Sequence, residues 1–126
     1  MKLYELWPTT LQMVLDLKKY GTLGPRNAVR ANGKTTALLI YAQELQDTLP
    51  PSATVMVAGQ NSYILSHYRK LFPQEVKGPL FTSSAPVAHD RLYLLVDEPM
   101  RLNWTTKEWD CIGLAAAKVI TVGKWI

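Results

Sequence analysis

The chain has 126 residues, 48% hydrophobic and 19% charged, which predicts one globular domain over residues 1–126 with a buried core. Its net charge of +4 permits contact with nucleic acid without demanding it. No apolar run reaches the roughly 18 residues of a membrane span, Met1-Lys2-Leu3-Tyr4-Glu5 lacks a signal-peptide core, and Cys111 as the one cysteine excludes an internal disulfide, so the expectation is a cytoplasmic protein with no membrane partner.

Leu11 to Tyr20 places Leu11, Val14, Leu15 and Leu17 near one helical stripe. Thr9 or Thr10 is placed to cap that helix and Gly21 to end it. Gly24-Pro25 marks a loop, after which Asn27-Ala28-Val29 reads as a short strand. Thr35 to Leu49 reads as a helix with Leu38, Leu39, Tyr41, Ala42 and Leu45 on its buried face, stopped by Pro50-Pro51. Ala53 to Ala58 is a continuous apolar run, as expected of a parallel strand covered on both faces. Ser62 to Leu71 is a helix ended by Pro73, and residues 74 to 90 are loop-like with a short strand at Leu80-Phe81. Arg91 to Val96 is a strand, Thr106 to Ala117 a helix capped by Thr105 or Thr106, and Lys118 to Val122 a last strand. The alternation predicts an α/β fold: a three-layer sandwich with a mostly parallel sheet between helices.

Two segments carry chemistry. Arg30-Ala31-Asn32-Gly33-Lys34-Thr35-Thr36 ends in Gly-Lys-Thr at the start of an apolar helix, the ending of a phosphate-binding P-loop. Gly33 would let the backbone approach a phosphate closely, and the free amides of the helix start favour an anion. Lys34 would reach the β- and γ-phosphates, and Thr35 would hold Mg²⁺. The first glycine of the full pattern is replaced by Ala28. Downstream, Leu92-Tyr93-Leu94-Leu95-Val96-Asp97-Glu98 is an apolar strand ending in two carboxylates. Asp97 would sit at the strand's C-terminal end, where ligands bind in open α/β sheets, and hold the metal through water. Glu98 would orient or deprotonate the attacking water. Taken alone, either segment also reads as ordinary structure: a helix start with a solvated lysine, or a strand ending in a charged turn before Pro99.

The pattern Ala28-x-x-x-x-Gly33-Lys34-Thr35 resembles the first motif of superfamily-two helicases, which tolerates alanine there. Arg30-x-x-Gly33-Lys34-Thr35-Thr36 looks still more like the ATPase motor of phage and viral terminase large subunits, whose loop often carries arginine three residues before the glycine. The resemblance spans residues 6 to 123, with the two Walker-type segments its specific part. It implies a RecA-like P-loop core that binds and hydrolyses ATP with Mg²⁺ in phage or viral DNA handling, with double-stranded DNA as a partner. Phosphate contacts would come from Arg30, Ala31, Asn32, Gly33, Lys34, Thr35 and Thr36, with Arg30 also stabilising charge on the γ-phosphate. Trp7-Pro8-Thr9-Thr10-Leu11-Gln12 resembles the adenine-recognition element of those motors, with Gln12 reading the base. Thr54 to Asn61 followed by a helix resembles their second strand-loop-helix. Val119-Ile120-Thr121-Val122-Gly123 resembles the strand that couples hydrolysis to movement, with Thr121 the residue carried over. The chain holds neither the nuclease domain of a terminase nor the second domain of a helicase. The resemblance then implies a shortened motor core, a subunit whose cleft is completed by a ring neighbour or another phage protein, or a fragment of a longer chain. Two other classes stay open: a nucleotide-dependent regulatory module with little turnover, and a degenerate P-loop fold serving as an interaction protein.

Other residues carry weaker signals. Arg26, Arg69 and Arg101 read as surface arginines unless an assembly recruits one in trans. His67 and His89 lack companions at metal-ligand spacing. Cys111 reads as a small buried hydrophobe. Tyr63, His67, Tyr68, Arg69 and Lys70 form an aromatic-basic cluster. It would track a phosphate backbone or, in the plainer reading, turn Tyr63 and Leu71 to the sheet and its charges to water. Trp104, Trp109 and Trp125 read as core or contact residues.

Overall fold

Helices α1 (Pro8–Tyr20), α2 (Ala31–Thr48), α3 (Ser62–Lys70) and α4 (Thr106–Ala115) alternate with strands β1 (Thr22–Leu23), β2 (Thr54–Ala58), β3 (Leu80–Thr82), β4 (Leu92–Asp97) and β5 (Lys118–Val122). A computed structural model supplies these elements and describes residues 8–23, 31–72 and 78–123. The expected strand at Asn27-Ala28-Val29, the Trp7 and Trp125-Ile126 positions, and Arg26, Ala28 and Arg30 lie outside the described residues.

The strands form one sheet in the order β1-β5-β4-β2-β3, and every pairing is parallel. The fold class is α/β, as the alternating pattern predicted. Strand pleating sorts the side chains to two faces. Along β4, Tyr93 and Leu95 point to the side covered by α1, α2 and α3, where they pack with Val55, Val57, Ile120, Leu38 and Leu65. Leu92, Leu94 and Val96 point to the other side and pack with Ile112 of α4, Leu102, Trp104 and Trp109. The same alternation aims Asp97 at the α2 side. Burial on both faces explains why β2 and β4 read as continuous apolar runs rather than alternating ones.

Helix α2 starts at Ala31, four residues before the expected Thr35. It carries Lys34 and Thr35 in or beside its first turn. Its stretch Ala37 to Ala42 is buried all round, because α1 covers the side turned away from the sheet. Helix α1 starts at Pro8, so Thr9 and Thr10 lie inside it rather than capping it. Proline suits that first position, where its missing N–H is no loss. Gly21 ends the helix as expected, with φ of 73° and its N–H on the Leu17 carbonyl at 2.8 Å. The Lys18–Glu44 ion pair between α1 and α2, 2.5 Å long, is solvent-exposed on both sides and contributes no more than about 1 kcal/mol.

Helix α4 starts with a full capping box, Thr105 and Glu108 satisfying each other's backbone N–H. It rests lightly on the sheet: Ile112 is its buried residue, while Leu114 is 89% exposed. Cys111 is exposed on this helix, correcting the expectation of a buried side chain. The helix buries one side only, and Cys111 falls off the Ile112 side. On α3 the buried residues are Leu65 and Tyr68, not Tyr63 and Leu71. Tyr63 is 72% exposed and stacks edge-on against His67. The three-residue step from Leu65 to Tyr68 is the helical period that selects the sheet-facing side. Trp104 and Trp109 lie against each other with ring centroids 4.6 Å apart and pack on the α4-side core.

Candidate phosphate and metal site

The C-terminal ends of the parallel strands share one edge of the sheet, and the two chemistry-bearing segments meet there. The hydroxyl of Thr35, near the start of α2, donates to both carboxylate oxygens of Asp97 at the end of β4, at 3.3 and 3.2 Å. These residues are far apart in sequence, and the sheet order brings them together: β5 lies between β1, which leads toward α2, and β4.

Lys34 is half-buried in the first turn of α2, where no acidic residue stands. Among the described residues no ion pair holds it. A cation at the positive end of a helix dipole is disfavoured by roughly 0.3–1 kcal/mol. The first four backbone N–H groups of the same helix have no carbonyl partner within it. The arrangement gathers positive potential at one point, which an anion would relieve. Ala31, Asn32 and Gly33 fall in this first turn; Arg30 lies outside the described residues. Thr36 follows, half-buried.

Asp97 has a second hydrogen-bond partner that sequence reasoning missed. The Tyr68 hydroxyl on α3 donates to Oδ2 of Asp97. Burial, then the Asp97 charge, drive the Tyr68 phenol upward, so it keeps its proton and acts as a donor. Burial also pushes the Asp97 carboxyl above its ordinary range; the Tyr68 and Thr35 hydroxyls pull it back, Glu98 adds to the rise and the Arg101 charge opposes it. A signal for Tyr68 did exist in the sequence, its three-residue spacing from Leu65, but nothing local indicates that its hydroxyl reaches β4.

The pH dependence has a definite sign. A carboxyl raised in the folded state contributes stability below its unfolded value of 3.8 and loses it as pH rises through the folded value. Asp97→Asn is therefore expected to gain stability over the wild type progressively as pH rises. Urea unfolding of both ligand-free proteins across pH measures this, and a difference that does not change with pH contradicts it.

Glu98 adopts a left-handed backbone, φ 53° and ψ 72°, which is uncommon for a side chain with a Cβ and stores about 1–3 kcal/mol. Two contacts with the end of β5 hold it there. Its N–H donates to the Val122 carbonyl at 2.9 Å. Its carboxyl group packs on Gly123, where an added Cβ would lie 2.6 Å from the carboxyl carbon. The next residue, Pro99, opens a 3-10 turn to Arg101. Arg101 is exposed there, close enough for its charge to act on Asp97.

Gln12 and Thr121, also expected at the site, have hydrogen-bond partners of their own. Gln12 lies on the exposed side of α1 and donates to Asp16 at 3.1 Å. Thr121 is buried in β5, its Oγ1 3.1 Å from that of Thr22 across the β1–β5 pairing. Arg69 lies over the Phe81 ring at 5.2 Å, a surface arginine with an aromatic seat.

Among the described residues no group of three or more His, Cys, Asp or Glu side chains stands together as a protein-built metal cage. One carboxylate with an adjoining hydroxyl is nevertheless the donor set Mg²⁺ uses when it also takes substrate phosphates and water, so Asp97 and Thr35 fit that ion. No helix among the described residues is long and apolar enough to cross a membrane. No protein-family model, curated protein or solved structure matches this chain.

Proposed function

We propose that the protein is a RecA-like P-loop ATPase that binds Mg²⁺·ATP at the α2 start and the β4 end. The observation that carries the reading is the Thr35–Asp97 contact beside Lys34. A hydroxyl at a helix start, touching a strand-end carboxylate and adjoining a lysine that no ion pair holds among the described residues, supplies the parts for phosphate and metal binding.

On this reading Lys34 and the α2 amides hold the β- and γ-phosphates. Thr35 and Asp97 hold Mg²⁺, which when bound neutralises phosphate charge. Glu98 accepts a proton from water as the water oxygen bonds to the γ-phosphorus; the bond from that phosphorus to the β–γ bridging oxygen breaks and ADP leaves with the electron pair. Glu98 is suited to this because β5 fixes its backbone in one unusual conformation. Phage or viral DNA handling, with double-stranded DNA as the stimulating partner and a ring of copies or another phage protein completing the cleft, is the setting that the terminase and helicase resemblance supports.

Calorimetric titration of Mg²⁺·ATP tests the reading. Lys34→Ala is expected to weaken binding by roughly tenfold to a hundredfold, the worth of a charge-assisted hydrogen bond to phosphate. Steady-state hydrolysis with and without double-stranded DNA then tests turnover and its stimulation. A wild-type protein that neither binds nor hydrolyses the nucleotide overturns the reading and leaves an interaction protein on a P-loop-like scaffold.

A further inference from the structure

Asp97 is clamped from two helices that do not touch it symmetrically. Thr35 of α2 donates to both carboxylate oxygens, whereas Tyr68 of α3 donates to Oδ2 alone. Each carboxylate oxygen accepts about two hydrogen bonds. The single Thr35 proton is shared between the two oxygens, so among the described residues Oδ2, which also takes the Tyr68 proton, is the more occupied and Oδ1 the more open.

The route by which Tyr68 reaches the carboxylate is specific. Its ring is buried, and Asn61 caps α3 by accepting the Ile64 N–H at 3.0 Å, which fixes the start of the helix. Gly59, at the end of β2, has no side chain in the way: a Cβ there would lie 3.0 Å from both the Tyr68 ring and Leu65. The Phe81 ring of β3, its centroid 6.5 Å from that of Tyr68, stands on another side. The phenol thus lies over the end of β2 at Gly59, with the Phe81 ring of β3 on one side and Asp97 of β4 on the other.

We infer that Tyr68 is a positioning residue for the metal-binding carboxylate: by occupying Oδ2 it holds Asp97 in one orientation, with Oδ1 presented to the cation, and Gly59 is the gap that admits its ring. The inference rests on the proposed Mg²⁺·ATP reading. Partners of this kind, which orient a ligand without touching the metal, typically change metal affinity by 10–100-fold when removed.

The test compares wild type, Tyr68→Phe and Gly59→Ala. Phenylalanine keeps the ring and removes the hydroxyl; alanine at position 59 presses on the ring and leaves the hydroxyl. Calorimetry measures ATP binding across a Mg²⁺ series and again with the metal chelated, and thermal unfolding checks that each variant is folded. Tyr68→Phe is expected to need roughly tenfold more Mg²⁺ with its metal-free ATP affinity unchanged, and Gly59→Ala is expected to shift in the same direction. A wild-type Mg²⁺ dependence in Tyr68→Phe, or tighter Mg²⁺ binding, overturns the positioning role and leaves the ATPase reading standing. Failure of the wild type itself to bind Mg²⁺·ATP removes both.

Discussion

Glu98→Gln is expected to lower ATP turnover by roughly a hundredfold to ten-thousandfold, the usual contribution of a positioned general base, while Mg²⁺·ATP affinity stays near wild type. Glutamine has nearly the same shape, so the packing against Gly123 and the backbone bond to Val122 are retained. What is lost is the ability to take a proton from water. A drop in turnover with unchanged binding is the signature of an interaction made only in the transition state. Single-turnover hydrolysis alongside calorimetry separates the two quantities. Wild-type turnover no faster than that of Glu98→Gln would assign the chain to nucleotide-dependent regulators with little turnover.

Leu95→Ala is expected to destabilise the protein by about 2–5 kcal/mol, and to lower its melting temperature by on the order of 10 °C. Leu95 is fully buried in the middle strand of the sheet, paired in register with Val57 on one side and Ile120 on the other. The structure around a truncated core side chain relaxes only partly, which leaves a cavity on that face. Leu114→Ala on α4 is the matched control: its side chain is 89% exposed, and a surface change of this kind stays within about 0.5 kcal/mol. Urea unfolding measures both. Similar losses for the two variants would mean that the α2-side core is not what holds the sheet together.

Most of the architecture was legible because it is written in short-range patterns. Apolar runs flanked by prolines and glycines gave β2, β4 and β5 to within about a residue, since a parallel strand buried on two faces needs continuous hydrophobicity. Thr105 and Gly21 announced helix ends through capping chemistry that depends on neighbours three or four residues away. What was not legible is long-range. β1, described over Thr22 and Leu23, is marked by its pairing with Thr121 and Val122, a long-range contact that no local period announces. The α2 start was set too late because Gly33 and Asn32 weaken the helical pattern, although a helix's first turn tolerates them. At the site, Lys34, Thr35, Asp97 and Glu98 were named from residue type and order. That Thr35 touches Asp97 is a product of strand order, and Tyr68 was grouped with its charged neighbours, whereas its ring faces inward. The left-handed turn at Glu98 is likewise invisible in a Glu-Pro sequence, because its partner is the backbone of β5.

The place of β5 in the sheet also bears on synthesis. Among the described strands it is the last in chain order, yet it is inserted between β1 and β4, and its Thr121 meets Thr22 across 99 positions of chain. Until it arrives, the segment leading into α2 has no sheet partner among the described strands, and Glu98 lacks the carbonyl that holds its turn. Contacts this distant are slow to form, because the intervening chain must be ordered before they are made. The β1–β5 pairing and the backbone bond that holds the Glu98 turn therefore form late, and a chain terminated before Lys118 has neither.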